Sequence, residues 1–242
     1  MFFRKKQTPE DKLKKAVPIK IDAADKRYSA LFSMDKQPGR PTDNLISLAL
    51  SCISEATNIN LSDIAARIKK GNTNYIDIYP GEHYKLLGAI VKKLSPSVVI
   101  ELGTHLGYSA LCMKKFLPPG GAIYTFDVIP WNKFGDTILK ESDFDNSLFQ
   151  FTDDLTIPEN IEKHRSLLER ADIIFLDAMK DGQQEYHFLK NLSAIGFKKK
   201  CYFIFDDIRL WNMLDIWYNM DKPKLDLTSF GHWSGTGLVE WT

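Results

Sequence analysis

Apolar residues follow two different periods along this chain, and the change of period falls near Ser95. Before that point they recur at the three- and four-residue spacing of amphipathic helices. We predict three helices there: one capped by Thr42 or Asp43, one over Leu61–Lys69 and one from about Glu82 to Leu94. Because these helices precede the first strand, we expect them to form a helical cap over the sheet.

After Ser95 the apolar residues form short continuous runs separated by helical stretches. Runs of this length are typical of strands that are buried on both faces. The predicted strands are Val98–Leu102, Ala122–Asp127, Ser147–Thr152, Asp172–Asp177 and Tyr202–Asp206. The main helical stretches are Ser109–Phe116, Glu159–Glu169 and Gln183–Leu192. Strands that alternate with helices indicate right-handed βαβ units and a parallel sheet of Rossmann-like α/β type.

The last part of the chain departs from this alternation. After a predicted helix around Ile208–Asn219, Lys224–Ser229 and Gly237–Trp241 have the pattern of two strands. A terminal hairpin leaves one antiparallel strand, which dinucleotide-binding Rossmann domains do not normally have. We therefore divide the chain into a basic, partly flexible segment (1–40), a helical cap region (41–94) and a Rossmann-like core (95–242).

Composition narrows the functional classes. The 242 residues carry a formal net charge of +1, which gives no reason to expect nucleic acid or a membrane surface as partner. Basic residues crowd residues 4–15, which predicts either a solvated tail or a patch for an acidic partner. Three widely spaced cysteines form no disulfide framework, and no apolar run suits a signal peptide or membrane span. We expect a soluble, cytoplasmic protein.

The turn after the first strand carries the first candidate site. Gly103 allows a tight turn, and Gly107 allows the next helix to approach the strand and a ligand closely. The helix N-terminus offers free N–H groups to a carboxylate or hydroxyl. Glu101 disfavours a pyrophosphate, and its charge suits the ammonium group of a methionine moiety. The nicotinamide pattern G-x-G-x-x-G is not met.

Acidic residues follow the next strands. Asp127 ends the second strand, where a carboxylate can accept both hydroxyls of a ribose. Asp153 or Asp154 follows the third strand and could face an adenine amino group, or could equally cap a helix.

A third group of acids indicates the type of reaction. Asp177 ends the fourth strand, and Asp206 and Asp207 end the fifth, so adjacent strands would bring them together. Carboxylates that lie so close repel one another unless a hard cation such as Mg²⁺ offsets them. Such a cation could lower the pKa of a substrate hydroxyl, and Lys180 could take its proton. Asp207 could instead be the N-cap of the next helix.

These motifs resemble the catechol O-methyltransferase-like class I methyltransferases. Ser95–Ala110 resembles the first motif of that family, Leu176–Asp181 its segment with a metal-binding Asp and a catalytic Lys, and Phe205–Asp207 its next metal segment. The resemblance implies S-adenosylmethionine contacts at Glu101, Gly103, His105, Ser109 and Asp127. It implies metal ligands at Asp177, Asp206 and Asp207, with Lys180 as general base. It also implies a seven-stranded sheet with an antiparallel last strand.

The sequence departs from the family pattern at one metal segment and in two regions where the substrate would be selected. Asp207 stands where the family usually has Asn, which adds a charge that could change the metal or signal its absence. The first 75 or so residues and the segment 230–237 differ from the catechol enzymes, and the latter looks more like bacterial methyltransferases of sugars and natural products. His232 in this segment could be an alternative base or a loop residue without a catalytic role.

The sequence therefore predicts an S-adenosylmethionine-dependent O-methyltransferase that acts on a hydroxyl of a small molecule or sugar, with assistance from Mg²⁺ or another divalent cation. We expect no nucleic-acid partner, and a homodimer is compatible with the sequence. Three alternatives stay open: a nicotinamide-dependent oxidoreductase, a catalytically silent binding protein on a methyltransferase fold, and a nucleic-acid methyltransferase. Only the basic N-terminal segment supports the last of these.

Overall fold

A computed structural model describes residues 39–77 and 83–242. The basic segment that we predicted at the N-terminus falls almost wholly outside these residues. The helices are α1 (Asp43–Ala56), α2 (Ser62–Ala65), α3 (His83–Leu94), α4 (Tyr108–Lys114), α5 (Pro158–Lys163), α6 (Arg165–Leu168), α7 (Gln183–Leu192) and α8 (Met213–Asn219). The strands are β1 (Val98–Leu102), β2 (Ala122–Phe126), β3 (Leu148–Phe151), β4 (Ile173–Leu176), β5 (Tyr202–Asp206), β6 (Lys224–Asp226) and β7 (Thr236–Glu240).

The seven strands form one sheet in the order β3-β2-β1-β4-β5-β7-β6. The strands from β1 to β5 are parallel, whereas β7 lies antiparallel between β5 and β6. Strands β1, β4 and β5 are buried along their whole length, as their continuous apolar sequences predicted. The predicted seven-stranded, mostly parallel sheet with an antiparallel last strand is confirmed.

The register of the parallel strands builds one functional edge. Leu102 pairs with both Phe126 and Leu176, and Leu176 also pairs with Phe205. The residues that follow these four positions are therefore neighbours at the carboxyl ends of the strands. They are Gly103, Asp127, Asp177 and Asp206. In open parallel sheets this edge is where ligands bind.

Helices cover both faces of the sheet, because successive strand residues point to opposite faces. Val99 packs with residues of α1, α3 and α4, whereas Val98 and Ile100 pack with residues of α5 to α8. The predicted helical cap region thus forms, with α4, the layer on one face of the sheet. Its helix α2 is shorter than predicted and ends at Ala65.

Two further helices differ from their predicted bounds. The stretch Glu159–Glu169 divides into α5 and α6 at His164, whose backbone leaves the helical region while its ring hydrogen-bonds the Asp153 carboxylate at 2.7 Å. Helix α8 begins at Met213 rather than Ile208, because positive φ angles at Asp207 and Trp211 fold the intervening residues into turns.

Cys52, Cys112 and Cys201 are buried free thiols, as expected. No helix within the described residues has the length and apolarity needed to span a membrane.

Candidate active site

The turn between β1 and α4 is held by contact with the neighbouring strand. Gly103 has a φ of +103°, and a Cβ atom there would lie only 1.9 Å from the carbonyl oxygen of Asp177. Its N–H donates to the carbonyl of Phe126 at 2.8 Å. Gly107 also has a positive φ, and a Cβ there would collide with the side chain of Leu139. Gly103 therefore lets two strand ends approach, whereas Gly107 packs a loop against α4.

Asp127 fixes this turn through its carboxylate. One oxygen accepts hydrogen bonds from the backbone N–H groups of Thr104 (3.1 Å) and His105 (2.9 Å). The other accepts from the N–H of Ile129 at 2.9 Å. Three backbone donors therefore order this carboxylate at the strand end, and no cationic side chain within residues 39–77 and 83–242 pairs with it.

Glu101 and Ser109 lie beneath the turn. The Glu101 side chain is fully buried, and its Oε1 accepts a hydrogen bond from the Ser109 hydroxyl. Its Oε2 is a buried polar atom without a hydrogen-bond partner within the described parts of the chain. Burial raises the pKa of Glu101 to about 8, against the opposing effect of the Ser109 and Thr125 hydrogen bonds. The carboxyl group that we predicted beside a ligand ammonium therefore lies within the layer between β1 and α4.

A cavity of about 390 Å³ opens beside the turn, and we call it the turn cavity. Of the predicted cofactor residues, Gly103, His105, Asp127 and Asp153 line it, whereas Glu101, Gly107 and Ser109 lie behind its wall. Apolar walls come from Phe126, Val128, Ile129, Phe134, Leu155, Met179 and Phe188. A mostly apolar cavity with a few placed polar groups is the usual form of a small-molecule site.

The two acids after β3, Asp153 and Asp154, already have hydrogen-bond partners in the structure. The Asp153 carboxylate accepts from Lys163 Nζ at 2.8 Å and contacts His164 Nε2 at 2.7 Å. These bonds hold the pKa of Asp153 below its ordinary value. Asp154 accepts from the N–H of Thr156 at 2.8 Å and so forms the turn before α5. Both acids also line the turn cavity, so both of the roles that we considered stay geometrically open for Asp153.

Asp177, Lys180, Asp206 and Asp207 come together as predicted, and we call them the carboxylate cluster. Lys180 Nζ makes an ion pair with Asp177 and lies 3.1 Å from Asp207 Oδ2 and 3.7 Å from Asp206 Oδ2. Lys180 and Asp207 both have positive φ angles, of 59° and 55°. Non-glycine residues rarely adopt such angles, and the strain is tolerated where the surroundings hold the residue in place.

The charges of this cluster shift the pKa of its members. Burial alone would lower the pKa of Lys180, but attraction to the three carboxylates outweighs it and raises the pKa above the ordinary value. Burial, together with repulsion from Asp206, raises the pKa of Asp177. The cluster thus holds a protonated lysine among carboxylates whose oxygens lie within 4.8 Å of one another. Three close carboxylates are also a donor set that suits a hard divalent cation.

Two histidines complete the site: His232, which we considered as an alternative base, and His83, which no sequence motif singled out. His232 Nε2 lies 2.5 Å from Asp206 Oδ1, and His83 Nε2 lies 3.7 Å from the same oxygen. Ser234 donates to Asp207 and contacts His232 Nδ1 at 2.7 Å. Burial and the nearby His232 lower the pKa of His83 to about 3, so its ring is neutral. Burial opposes the charging of His232, but its contact with Asp206 prevails and raises its pKa.

A second cavity of about 240 Å³ lies against the loop between β6 and β7, and we call it the hairpin cavity. Its lining residues are Tyr75, Ile76, His83, Tyr84, Asp206, Asp207, His232, Trp233 and Ser234. Lys180 lines the turn cavity, and its partner Asp207 lines the hairpin cavity. Because Lys180 and Asp207 form an ion pair, the two cavities meet at this pair.

Comparisons with known proteins agree with this geometry. A family model described as O-methyltransferase matches residues 53–222. The chain is 26% identical to catechol O-methyltransferase of Mus musculus over 149 residues, which are 60% of this chain and 48% of the relative. It is 30% identical to catechol O-methyltransferase B of Danio rerio over 107 residues, 40% of this chain and 37% of the relative. The chain thus spans about half or less of the length of these relatives.

A solved structure gives a comparison at the level of the fold. The structure of the O-methyltransferase from Bacillus cereus in complex with SAH superposes with a TM-score of 0.51 at 16% sequence identity. The alignment covers 78% of this chain and 89% of that one. At such low identity the likeness concerns the arrangement of strands and helices, and it supports the predicted Rossmann-like fold.

Proposed function

This chain belongs to the O-methyltransferase family, and from that premise we propose that it transfers the methyl group of S-adenosylmethionine to a hydroxyl oxygen of a small molecule. The observation that carries the proposal is the meeting of two cavities at the carboxylate cluster. The turn cavity takes the methyl donor and the hairpin cavity takes the acceptor. Methyl transfer needs this arrangement, because the sulfur, the methyl carbon and the attacking oxygen must be brought into line.

The turn cavity fits the donor by its chemistry. Asp127 is held by backbone amides and is free of a cationic partner within the described residues, so its oxygens can accept the hydroxyls of a ribose. Phe126, Phe134 and Phe188 offer apolar surface for an adenine ring. Asp177 lines the same cavity, and its charge attracts a sulfonium or ammonium group.

The hairpin cavity suits a cyclic acceptor. Tyr75, Tyr84 and Trp233 line it and offer flat surfaces against which a sugar or an aromatic ring can lie. Asp206 and Asp207 line the end nearest to Lys180, where a hydroxyl would be bound. We propose a hydroxylated small molecule of this shape, such as a sugar or natural product, as the acceptor.

Asp177, Asp206 and Asp207 would hold a divalent cation, since their oxygens converge. When bound, that ion would lower the pKa of the acceptor hydroxyl and weaken the hold of the carboxylates on Lys180. In our proposal Lys180 accepts the hydroxyl proton. The oxygen forms its bond to the methyl carbon as the carbon–sulfur bond breaks, and S-adenosylhomocysteine leaves as a neutral thioether. Lys180 is protonated beside its carboxylate partners, which raise its pKa, so it must first separate from them and release its ammonium proton to solvent before it can accept the hydroxyl proton.

Calorimetric titration with S-adenosylhomocysteine and with NADH tests the donor. We expect S-adenosylhomocysteine to bind, and Asp127→Ala to weaken its affinity by about tenfold through loss of the ribose contact. Asp145→Ala is the matched control, since that acid contacts Ser147 and Lys114 away from both cavities. Binding of NADH alone would overturn the proposal in favour of a nicotinamide-dependent oxidoreductase.

Transfer of a labelled methyl group to a panel of hydroxylated sugars and phenols tests the reaction. Lys180→Met should lower turnover by about 100-fold or more and spare S-adenosylhomocysteine binding, because proton transfer typically contributes that much. Lys190→Met, an exposed lysine on α7, is the control. Unchanged turnover in Lys180→Met would remove this lysine from the mechanism. Donor binding without transfer to any acceptor would favour a silent binding protein.

A further inference from the structure

We propose that His83, His232 and Asp206 form a site for a divalent transition-metal ion in the wall of the hairpin cavity, with two nitrogen ligands and one oxygen ligand. The site shares only Asp206 with the carboxylate cluster. It does not depend on methyl transfer, and its test below measures metal binding alone.

The ligand atoms converge from three separate segments of the chain. His83 begins α3, Asp206 ends β5, and His232 lies in the loop before β7. Both Nε2 atoms face Asp206 Oδ1, at 3.7 Å from His83 and 2.5 Å from His232. The two rings stand edge to face with their centroids 4.5 Å apart. One ligand atom from each of the three residues lies within 4.8 Å of the other two.

The outer nitrogen of each ring is held by a hydroxyl group. His83 Nδ1 lies 3.1 Å from Thr236 Oγ1, and His232 Nδ1 lies 2.7 Å from Ser234 Oγ. Metal-binding histidines are typically oriented in this way by a partner on the nitrogen that does not bind the metal. Thr236 is fully buried and Ser234 is nearly so, which keeps both hydroxyls in place.

The directions of the hydrogen bonds determine which ring nitrogen of each histidine would bind a metal. Ser234 donates its only hydrogen to Asp207, so His232 Nδ1 must donate to Ser234. The proton on His232 Nε2, shared with Asp206, is then the one that a metal would displace. His83 Nε2 is too far from Asp206 for a hydrogen bond, so its favoured tautomer carries the proton on Nδ1 and leaves the Nε2 lone pair facing a carboxylate. A cation between these two atoms removes that repulsion.

The distances need only a small adjustment. Zinc bonds of about 2.0–2.1 Å in a tetrahedral site place two ligand atoms about 3.3 Å apart. The 3.7 Å between His83 and Asp206 is close to this value. His232 needs to move outward by about 0.8 Å, and Gly231 and Gly235 flank the short loop that carries it. An ion held there would keep a coordination position open toward the hairpin cavity, which all three ligand residues line.

The donor set distinguishes this site from the three carboxylates. Imidazole nitrogens suit zinc, cobalt, nickel, copper and iron, whereas all-oxygen sites suit magnesium, calcium and manganese. We therefore expect the histidine site to bind Co²⁺ and Zn²⁺ even when Mg²⁺ is present in large excess.

Titration of the chelator-stripped full chain with CoCl₂ tests the site, because the visible absorption of Co²⁺ reports nitrogen ligands and low coordination number. In the presence of excess Mg²⁺, which occupies the three carboxylates, we expect one Co²⁺ ion per chain with the spectrum of a nitrogen-ligated site. His83→Gln and His232→Gln should each weaken Co²⁺ binding by tenfold or more and reduce the absorption. His187→Gln, an exposed histidine on α7, should bind as the unaltered chain does. Asp177→Asn removes a carboxylate outside the site and should leave the cobalt spectrum in place.

Thermal unfolding of each variant shows whether weaker Co²⁺ binding comes from loss of a metal-binding side chain or from loss of the fold. If His83→Gln unfolds, Thr236→Val replaces it, since it removes only the partner of Nδ1 and should weaken Co²⁺ binding by about tenfold. Cobalt binding that survives both histidine substitutions, or that disappears in Asp177→Asn alone, would assign the ion to the three carboxylates and overturn the proposal. No uptake of Co²⁺ or Zn²⁺ by the unaltered chain would also overturn it.

Discussion

The turn cavity and the hairpin cavity share a wall but are held together by different forces. In the turn cavity, Asp127 is fixed by backbone N–H groups, and Gly103 is fixed by the backbone of a neighbouring strand. In the hairpin cavity, His83, His232 and Ser234 are fixed by other side chains. Backbone contacts are built into the sheet, whereas side-chain networks depend on the protonation of their members. The turn cavity should therefore be the more rigid and the hairpin cavity the more adjustable.

The largest effect should follow from breaking the backbone contact of the turn cavity. Gly103→Ala places a Cβ atom against the Asp177 carbonyl and imposes left-handed strain, so we expect a loss of about 4 kcal/mol in the free energy of unfolding. Urea denaturation measures it. Gly120→Ala is the control, because Gly120 has a similar positive φ with open space around it and should lose only about 1 kcal/mol. Equal losses would mean that strain, not the contact, limits this position.

A smaller effect should come from the buried acid beneath the turn. Its folded-state pKa of about 8 exceeds the value near 4.5 of an ordinary glutamate, so the folded protein binds more protons between these values. The contribution of Glu101 to stability is therefore fully present below about pH 4.5 and is lost as the pH rises toward 8. Glu101→Gln should flatten the dependence of the unfolding free energy on pH in this range. Glu159→Gln on α5 serves as the control, and an unchanged slope in Glu101→Gln would show that other groups cause it.

The smallest effect should appear at the rim of the hairpin cavity. Trp233 lines the cavity yet is 68% exposed, so Trp233→Ala should change stability little. We expect it to raise the KM for a ring-shaped acceptor a few-fold and to leave donor affinity unchanged, because it removes only stacking surface. Trp211→Ala is a matched control, since Trp211 is 72% exposed and lines neither of the two cavities. If both variants behave alike, Trp233 takes no part in acceptor binding.

The two cavities also differ in how far their residues lie apart in the sequence, and this difference explains why the sequence predicted the turn cavity better than the hairpin cavity. The glycine turn occupies consecutive residues between a strand and a helix, so local pattern locates it. The hairpin cavity brings together His83 and His232, which are 149 positions apart in the sequence, and no periodicity connects them. The only local signal was a histidine between Gly231 and Gly235 in a hairpin loop.

The location of the protein in the cytoplasm and its assembly as a homodimer stay predictions.

Strand alternation indicates the direction in which the Glu101 side chain points. Glu101 has the same parity in β1 as Val99, and Val99 faces the layer that contains α4. The Glu101 side chain therefore points toward Ser109 of α4 and away from the strand end. A side chain two residues before the edge of a sheet lies within a layer, and the contact of Glu101 with a ligand ammonium group stays a prediction.

The insertion of β7 between β5 and β6 has a consequence for the order in which the protein can be assembled during synthesis. Strands β3, β2, β1, β4 and β5 can pair as soon as β5 has emerged, which completes the turn cavity. Strand β6 emerges before β7, and β7 is its only strand partner among the residues that the structure describes. His232, Ser234 and Thr236 emerge in the same late segment. A nascent chain would thus complete the turn cavity first and would hold it without the hairpin cavity until β7 docks.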